Sequence, residues 1–324
     1  MTTFKEIRGT AVESVSSDPT NPEEGQIWYN NTIGVLKGYK SLGGVWASGG
    51  SLTTARSSLG GAGTQTAALA FGGYVTAVSA ATEEYNGSTW SPGGNLSTAR
   101  SGIGGCGTQT AGLGFSGYIG PPVSSATEEY DGSTWTAGGN LGTARYTLGS
   151  AGTQTAGLAF AGFTYPGPNT TSTEEYDGST WAAGGSMANA RRDLAGVGIQ
   201  TSAIAIGGNP GSSPYATAIS EEYDGSTWTA GGNLGTARYR LAGSGSSNSS
   251  ALTFGGNSPP SRNATEEYDG SAWTSASPLT TGRIALRGAG TQTVAIGFGG
   301  SIPPFTGATE EFTDPTFAVQ KITT

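Results

Sequence analysis

Apolar residues in this chain come in short runs bounded by glycine, and the runs return at a nearly fixed interval. Six of them read as one strand: Ala67–Gly73, Ala111–Gly117, Ala156–Gly162, Ser202–Gly208, Ala251–Gly256 and Val294–Gly300. Within a run, large and small side chains alternate. Leu69 and Phe71 point to one face, Ala68 and Ala70 to the other. Leu113 and Phe115 likewise oppose Gly112 and Gly114, and Ile296 and Phe298 oppose Ala295 and Gly297. A period of two marks a strand, and apolar residues on both faces mark a sheet covered on both sides. No window holds a helical period.

The polar residues around each run repeat as well. Thr-Glu-Glu-Tyr-Asp-Gly-Ser-Thr-Trp stands at Thr127–Trp135 and Thr173–Trp181. Near copies lie at Thr82–Trp90, Ser220–Trp228 and Thr265–Trp273, and a worn one at Thr309–Phe317. After the Trp comes Gly-Gly-x-Leu-x-Thr-Ala-Arg, as in Gly49–Arg56, Gly93–Arg100, Gly138–Arg145 and Gly231–Arg238, with degraded forms ending at Arg191 and Arg283. These arginines are 44, 45, 46, 47 and 45 residues apart. A Leu/Gly-rich strand and Gly-Thr-Gln-Thr then lead into the apolar run. Each unit therefore reads as four strands, A to D, with the apolar run as B and Glu-Glu-Tyr as C. Four strands at this period are a β-propeller blade.

The expected fold is all-β: a six-bladed, alternatively seven-bladed, propeller of four-stranded antiparallel blades with an N-terminal extension. The alternative arises because seven positions resemble strand D, at Trp46, the five repeat tryptophans and Phe317. Either Val45–Ala47 completes the last blade or Phe317–Ile322 does. In the second case the N-terminal strands form an irregular seventh blade. Residues 1–43 are expected as an extension and 44–324 as the propeller. Within the extension, Ser16–Pro22 reads as a turn cluster, and Gln26–Tyr29 and Gly34–Tyr39 as short strands.

Composition narrows the chemistry. The chain has 324 residues, 57 of them glycine, with a net charge of −8. There is no basic run to track a phosphate backbone, so nucleic acid is not an expected partner. No apolar stretch reaches the ~20 residues of a membrane helix, and Met1–Arg8 lacks a signal-peptide core, so membrane insertion and export by that route are not expected. Histidine is absent and cysteine occurs once. Ser-His and Cys-His nucleophiles, and cysteine- or histidine-based metal sites, are thereby excluded. Cys106 stands where Ala62 and Ala151 stand and reads as a small buried residue. No cofactor, metal or catalytic residue is expected.

The carboxylate pairs Glu83-Glu84, Glu128-Glu129, Glu174-Glu175, Glu221-Glu222, Glu266-Glu267 and Glu310-Glu311 do not converge, because adjacent strand residues face opposite ways. One Glu per blade is expected to pair with a repeat arginine or with backbone N–H groups between blades. The six arginines could instead form an anion-binding ring; Arg–Glu pairing between blades is the plainer reading. Asp-Gly in the C–D turn suits a tight hairpin. In a meander, the A–B and C–D turns share one face, and the B–C and D–A loops share the other. The B–C loops vary: Tyr74–Ala80, Tyr118–Ser125, Phe163–Ser172, Asn209–Ile219, Asn257–Ala264 and Ser301–Ala308. Variable loops on a constant scaffold are where binding sits. The candidate ligand-binding residues are Tyr74, Tyr118, Phe163, Tyr165, Asn209, Tyr215, Arg262 and Phe305, suited to sugar rings or a protein partner.

Gly-Gly after an apolar strand, then Tyr, then Trp, with Arg before strand A, resembles the kelch repeat over residues 44–317. The resemblance implies that Tyr85, Tyr130, Tyr176, Tyr223 and Tyr268 pack between blades with Trp90, Trp135, Trp181, Trp228 and Trp273. Ser116-Gly117 and Ala161-Gly162 depart from the Gly-Gly pattern. Asp-Gly-Ser-Thr-Trp is similar to the Asp-box of sialidases, although one residue shorter between Asp and Gly; that box implies a structural turn. A copper site of the galactose-oxidase kind would need histidine. Asn21–Asn30 and Leu36–Tyr39 look like a short module of tailed-bacteriophage structural proteins, especially marine ones. This implies a virion component, a tail fibre, tail accessory or capsid-surface protein. Residues 1–50 would then contact other virion proteins, the chain would be a homo-oligomer on the particle, and the B–C face would meet host surface glycan or neighbouring subunits. The alternatives are a glycan-active enzyme of sialidase or lyase type and a cellular kelch protein-interaction module.

Overall fold

The structure is a computed structural model that describes residues 12–19, 26–40, 44–258, 262–314 and 318–321. The chain forms two compact units, Met1–Gly44 with Asp314–Thr324, and Val45–Thr313. The smaller unit holds one four-stranded sheet. Strand β1 (Glu13–Val15) runs parallel to β2 (Ile27–Asn30), which pairs with β3 (Val35–Lys40). Asp18, in the turn cluster, organises this sheet. Its carboxylate accepts bonds from the indole of buried Trp28 (3.1 Å) and from Asn30 (2.9 Å), and pairs with Lys37 at 2.6 Å. The bond from Lys37 leads the interactions that hold the Asp18 carboxyl down near 2.

The larger unit is a six-bladed β-propeller. Strand β4 (Val45–Gly49) comes first in sequence but last in the ring. Blade 1 is β5 (Gly60–Gly63), β6 (Ala68–Phe71), β7 (Thr82–Tyr85) and β8 (Trp90–Pro92). Blade 2 is β9 (Gly104–Gly107), β10 (Gly112–Phe115), β11 (Thr127–Tyr130) and β12 (Trp135–Ala137). Blade 3 is β13 (Gly149–Gly152), β14 (Gly157–Phe160), β15 (Thr173–Tyr176) and β16 (Trp181–Ala183). Blade 4 is β17 (Ala195–Ile199), β18 (Ser202–Ile206), β19 (Ser220–Tyr223) and β20 (Trp228–Ala230). Blade 5 is β21 (Ala242–Ser247), β22 (Ser250–Phe254), β23 (Thr265–Tyr268) and β24 (Trp273–Ala276). Blade 6 is β25 (Arg287–Gly290), β26 (Val294–Phe298) and β27 (Thr309–Thr313), completed by β4.

The inner strands neighbour one another in the order β5, β9, β13, β17, β21, β25 and back to β5. Of the two candidate closing segments, Val45–Gly49 takes the place beside β27, with Trp46 opposite Phe312. The C-terminal strand β28 (Ala318–Lys321) pairs instead with β3. The seventh sheet of the alternative reading thus exists, in the smaller unit. Phe317 and Ile322 themselves lie outside the described residues.

Contacts of the repeat Trp and Gln hold successive blades together. Every repeat Trp packs on the large B-strand residue of the preceding blade. Phe71–Trp135, Phe115–Trp181, Phe160–Trp228, Phe298–Trp90 and Phe254–Trp46 have ring centroids 4.8–5.0 Å apart. The same indole N–H donates to the preceding blade's C-strand hydroxyl, from Trp135 to Thr82 (3.0 Å) through to Trp90 to Thr309 (3.0 Å) and Trp46 to Thr265 (3.2 Å). The Gln of Gly-Thr-Gln-Thr donates to two carbonyls of the preceding blade, as Gln109 does to Ala68 (3.0 Å) and Tyr85 (2.6 Å). Gln65 closes the ring on Ala295 and Phe312.

The carboxylate pairs divide their labour. The first Glu meets the repeat arginine of its own blade: Arg100–Glu128 at 2.6 Å, Arg238–Glu266 at 2.7 Å, Arg283–Glu310 at 3.0 Å, Arg145–Glu174 at 3.2 Å, and likewise Arg56–Glu83 and Arg191–Glu221. Pairing between blades was expected. It falls within one blade because the arginine enters just ahead of strand A and lies under its own sheet; Arg56 also donates to Ala70 in β6. The carboxylate secures the D–A connection at the same time, as Glu83 does by accepting from Thr53 N (2.6 Å). All six arginines are buried, so the charges offset one another where water cannot. The second Glu works between blades, accepting from the Tyr of the next one: Tyr130 to Glu84 and Tyr176 to Glu129 at 2.5 Å, Tyr223 to Glu175 and Tyr85 to Glu311 at 2.6 Å, and Tyr268 to Glu222.

The departures from Gly-Gly leave the backbone unchanged. Ser116 and Ala161 take φ of 61° and 56°, beside 64° at Gly72 and 58° at Gly207. Ser116 gains a partner there, since its hydroxyl bonds the Arg145 carbonyl.

Candidate binding face

After each repeat arginine the chain pairs with the start of its B–C loop. The bridged pairs are Ser57–Tyr74, Ser101–Tyr118, Tyr146–Phe163, Arg192–Asn209, Tyr239–Asn257 and Ile284–Ser301. D–A and B–C segments therefore share one face, and the pair presented there changes around the ring: Ser with Tyr in blades 1 and 2, and a different pair in each of the other four.

The next residue is in the left-handed region in every blade. Ser58, Gly102, Thr147, Asp193, Arg240 and Ala285 have φ between 51° and 58°. This turn aims each N–H along the ring. Gly102 N donates to Ser58 O, Thr147 N to Gly102 O, Asp193 N to Thr147 O, Arg240 N to Asp193 O, Ala285 N to Arg240 O and Ser58 N to Ala285 O, at 2.7–2.9 Å. Six backbone hydrogen bonds thus close a circle around the axis, and the paired loops are anchored to it.

On this frame the aromatic residues gather unevenly. Tyr118 and Tyr146 have centroids 5.5 Å apart, Tyr146 and Phe163 5.7 Å, and Phe163 and Tyr165 6.5 Å. The Arg192 guanidinium lies over the Phe163 ring at 4.8 Å and bonds Asn169 Oδ1 at 3.3 Å. Four rings and a cation make a crescent over blades 2 to 4. A second pair, Tyr74 and Phe305, stands 5.9 Å apart where blade 6 meets blade 1. Arg240 lies near the Tyr239 ring at 5.8 Å, and Asn257 Nδ2 donates to the Tyr239 hydroxyl at 2.6 Å.

Charge on this face centres on Asp193. Its carboxylate, almost enclosed, lies 3.7 Å from Arg192 Nε and 3.6 Å from Arg240 Nε. Burial pushes its carboxyl up, against the pull of Arg240 and Arg192. Burial also pushes the Tyr146 phenol up. The opposite face carries Asp131, Asp177 and Asp224, held near 2 chiefly by backbone N–H bonds from Thr134, Thr180 and Thr227. One face is thus acidic, while the other sets arginines among aromatic rings.

Of the residues singled out from sequence, Tyr118, Phe163 and Tyr165 come together, and so do Tyr74 and Phe305. Tyr215 is 60% exposed on its own loop. Asn209 is buried and turns its loop by accepting from Gly211 N (2.7 Å). Arg262 lends its backbone carbonyl to Arg283 N (3.0 Å). Sequence reasoning missed Tyr146, Arg192, Tyr239 and Arg240. The signal was present: the position after the repeat arginine reads Ser, Ser, Tyr, Arg, Tyr and Ile in successive blades. Cys106 is buried, its thiol pushed up to about 12 by that burial. Among the described residues no three His, Cys, Asp or Glu gather as a metal site. Chemically, the crescent offers flat apolar rings flanked by hydrogen-bonding tips and one cation. Comparison of the chain with protein-family models finds no match, and comparison with curated proteins likewise finds none.

Proposed function

We propose that this chain is a non-enzymatic binding propeller of a bacteriophage particle, whose B–C face contacts glycan on the host surface. The observation that carries the binding reading is the crescent of Tyr118, Tyr146, Phe163 and Tyr165 with Arg192. Rings of this kind stack on the apolar face of a sugar while their hydroxyls and the guanidinium take its oxygens. The kelch-like repeat supplies the scaffold in this reading. The likeness of residues 21–39 to phage structural modules supports the assignment to a virion; residues 21–25 lie outside the described residues. Residues 1–50 dock the chain to other virion proteins, and several copies stand together on the particle.

The test is binding of the full chain to an array of neutral and acidic oligosaccharides, repeated with Tyr146→Ala and Phe163→Ala. Retention of a defined glycan class, weakened roughly tenfold or more in each variant, is the expected result. A chain that retains no glycan, or variants that bind as the parent does, would remove the reading. Release of new reducing ends from a retained glycan would replace it with the glycan-active enzyme.

A further inference from the structure

One inner strand breaks the repeat. Where the other blades have Gly60, Gly104, Gly149, Ala195 and Ala242, blade 6 has Arg287. Room for its stem comes from blade 1, since a Cβ at Gly61 would lie 2.7 Å from Arg287 Cγ. The side chain crosses the axis of the ring. Its Nη2 donates to the Gly105 carbonyl of blade 2 (2.9 Å) and to Ser150 Oγ of blade 3.

The guanidinium borders an axial cavity of about 90 Å³ lined by the inner strands of all six blades. Each inner strand bonds a neighbour in its own sheet along one edge only, so its other edge turns backbone polar groups toward the axis. Arg287 is charged there without a counter-ion. The six repeat arginines each have a glutamate, and Arg192 and Arg240 share Asp193. Among the described residues no carboxylate forms an ion pair with Arg287. Burial lowers its pKa to about 10, so it remains a cation at neutral pH. The repeat arginines have their Nε sealed in protein, whereas Arg287 is half-buried at the cavity and, among the described residues, bonds through Nη2.

We propose that the axial cavity is a binding site for a small monovalent anion, held by the open N–H groups of Arg287. A desolvated cation without a counter-ion is costly, and charge-assisted bonds to an anion recover part of that cost. A space of this size holds several water molecules, each needing roughly 10–15 Å³ of such volume. A halide, nitrate or short carboxylate fits it. The site is independent of the aromatic crescent, because it is read from the inner strands alone.

Bromide tests it. The full chain is crystallised with bromide and data are collected at the bromine edge. The expected result is an anomalous peak in the axial cavity against the Arg287 N–H groups. Arg287→Gly, which restores the residue of three other blades, is expected to fold and to lack the peak. In solution, replacing gluconate with bromide at constant ionic strength raises the thermal midpoint of the parent. In Arg287→Gly the apparent bromide affinity falls by about tenfold or more. A parent cavity without bromide at saturating concentration overturns the proposal, whether or not the variant folds. So does a peak of equal height in Arg287→Gly.

Discussion

On one face of the six-blade ring the C–D turns are near copies of one another. Asp131 accepts from Ser133 N (2.8 Å) and Thr134 N (2.7 Å), and Asp177, Asp224, Asp269 and Asn86 make the same two bonds in their own blades. On the other face the bridged pairs diverge, only blades 1 and 2 sharing Ser with Tyr, and the rings crowd over blades 2 and 3. Both faces hang from the same strands, so the strands do not explain the difference. What differs is the constraint. A C–D turn must join two strands in the shortest way, and one Asx turn does this. A B–C loop need only begin at its bridge and end at strand C, which leaves length and side chains free. Repetition therefore marks what the ring requires, and divergence marks where a ligand can be accommodated.

Three experiments can break or sharpen this contrast. The largest effect is expected from Glu128→Gln, which leaves Arg100 buried beside a neutral amide. Breaking such a pair costs about 3–5 kcal/mol. A urea midpoint close to that of the parent would show that the repeated ion pairs are dispensable and would weaken the link between repetition and scaffold.

A smaller effect is expected in alkali. Burial, together with the bond to glutamate, pushes Tyr85, Tyr130, Tyr176 and Tyr268 up to about 12, and raises Tyr223 as well. The unfolded chain releases these protons near pH 10. Their contribution is therefore complete below about pH 10 and is lost as pH rises toward 12. Thermal midpoints should fall through that window, and phenolate absorbance should rise with unfolding instead of ahead of it. Early ionisation of the five in the folded ring would contradict the sealed Tyr–Glu contacts.

The smallest effect belongs to the divergent face. Tyr165 is 44% exposed at the end of the crescent. Tyr165→Ser should leave stability within about 0.5 kcal/mol of the parent while weakening any ligand of the crescent. A large loss of stability would make this face part of the scaffold too.

The repeat was legible because period, turn chemistry and alternation all point to one blade. Phe71 could be named as a packing residue from the large/small alternation of its strand, and Trp135 from the resemblance to the kelch repeat. Less could be read where the partner is chosen by the ring. Glu128 and Glu129 are visibly on opposite faces of β11, but only the closed ring shows that one meets Arg100 in its own blade and the other Tyr176 in the next. Gln109 was visible as a repeat without a role, because its acceptors are backbone carbonyls of another blade. The candidate face was half legible. Tyr118 and Phe163 stand in obviously variable loops, whereas Tyr146 follows Arg145 inside a scaffold motif, and only the Tyr146–Phe163 bridge carries it to the same surface.

By itself, the sequence determined an all-β chain of four-stranded units whose faces are apolar on both sides. Those are consequences of local alternation, of glycine in tight turns and of the period. The tertiary structure alone decided that the ring closes at six, with Val45–Gly49 in the last place and β28 in another sheet. It also decided that Arg287 spans the axis and that the aromatic rings collect over two adjacent blades. These outcomes depend on which distant segments meet once the circle of backbone hydrogen bonds is complete. No local pattern encodes that choice, because both closing segments carry the same short strand signal.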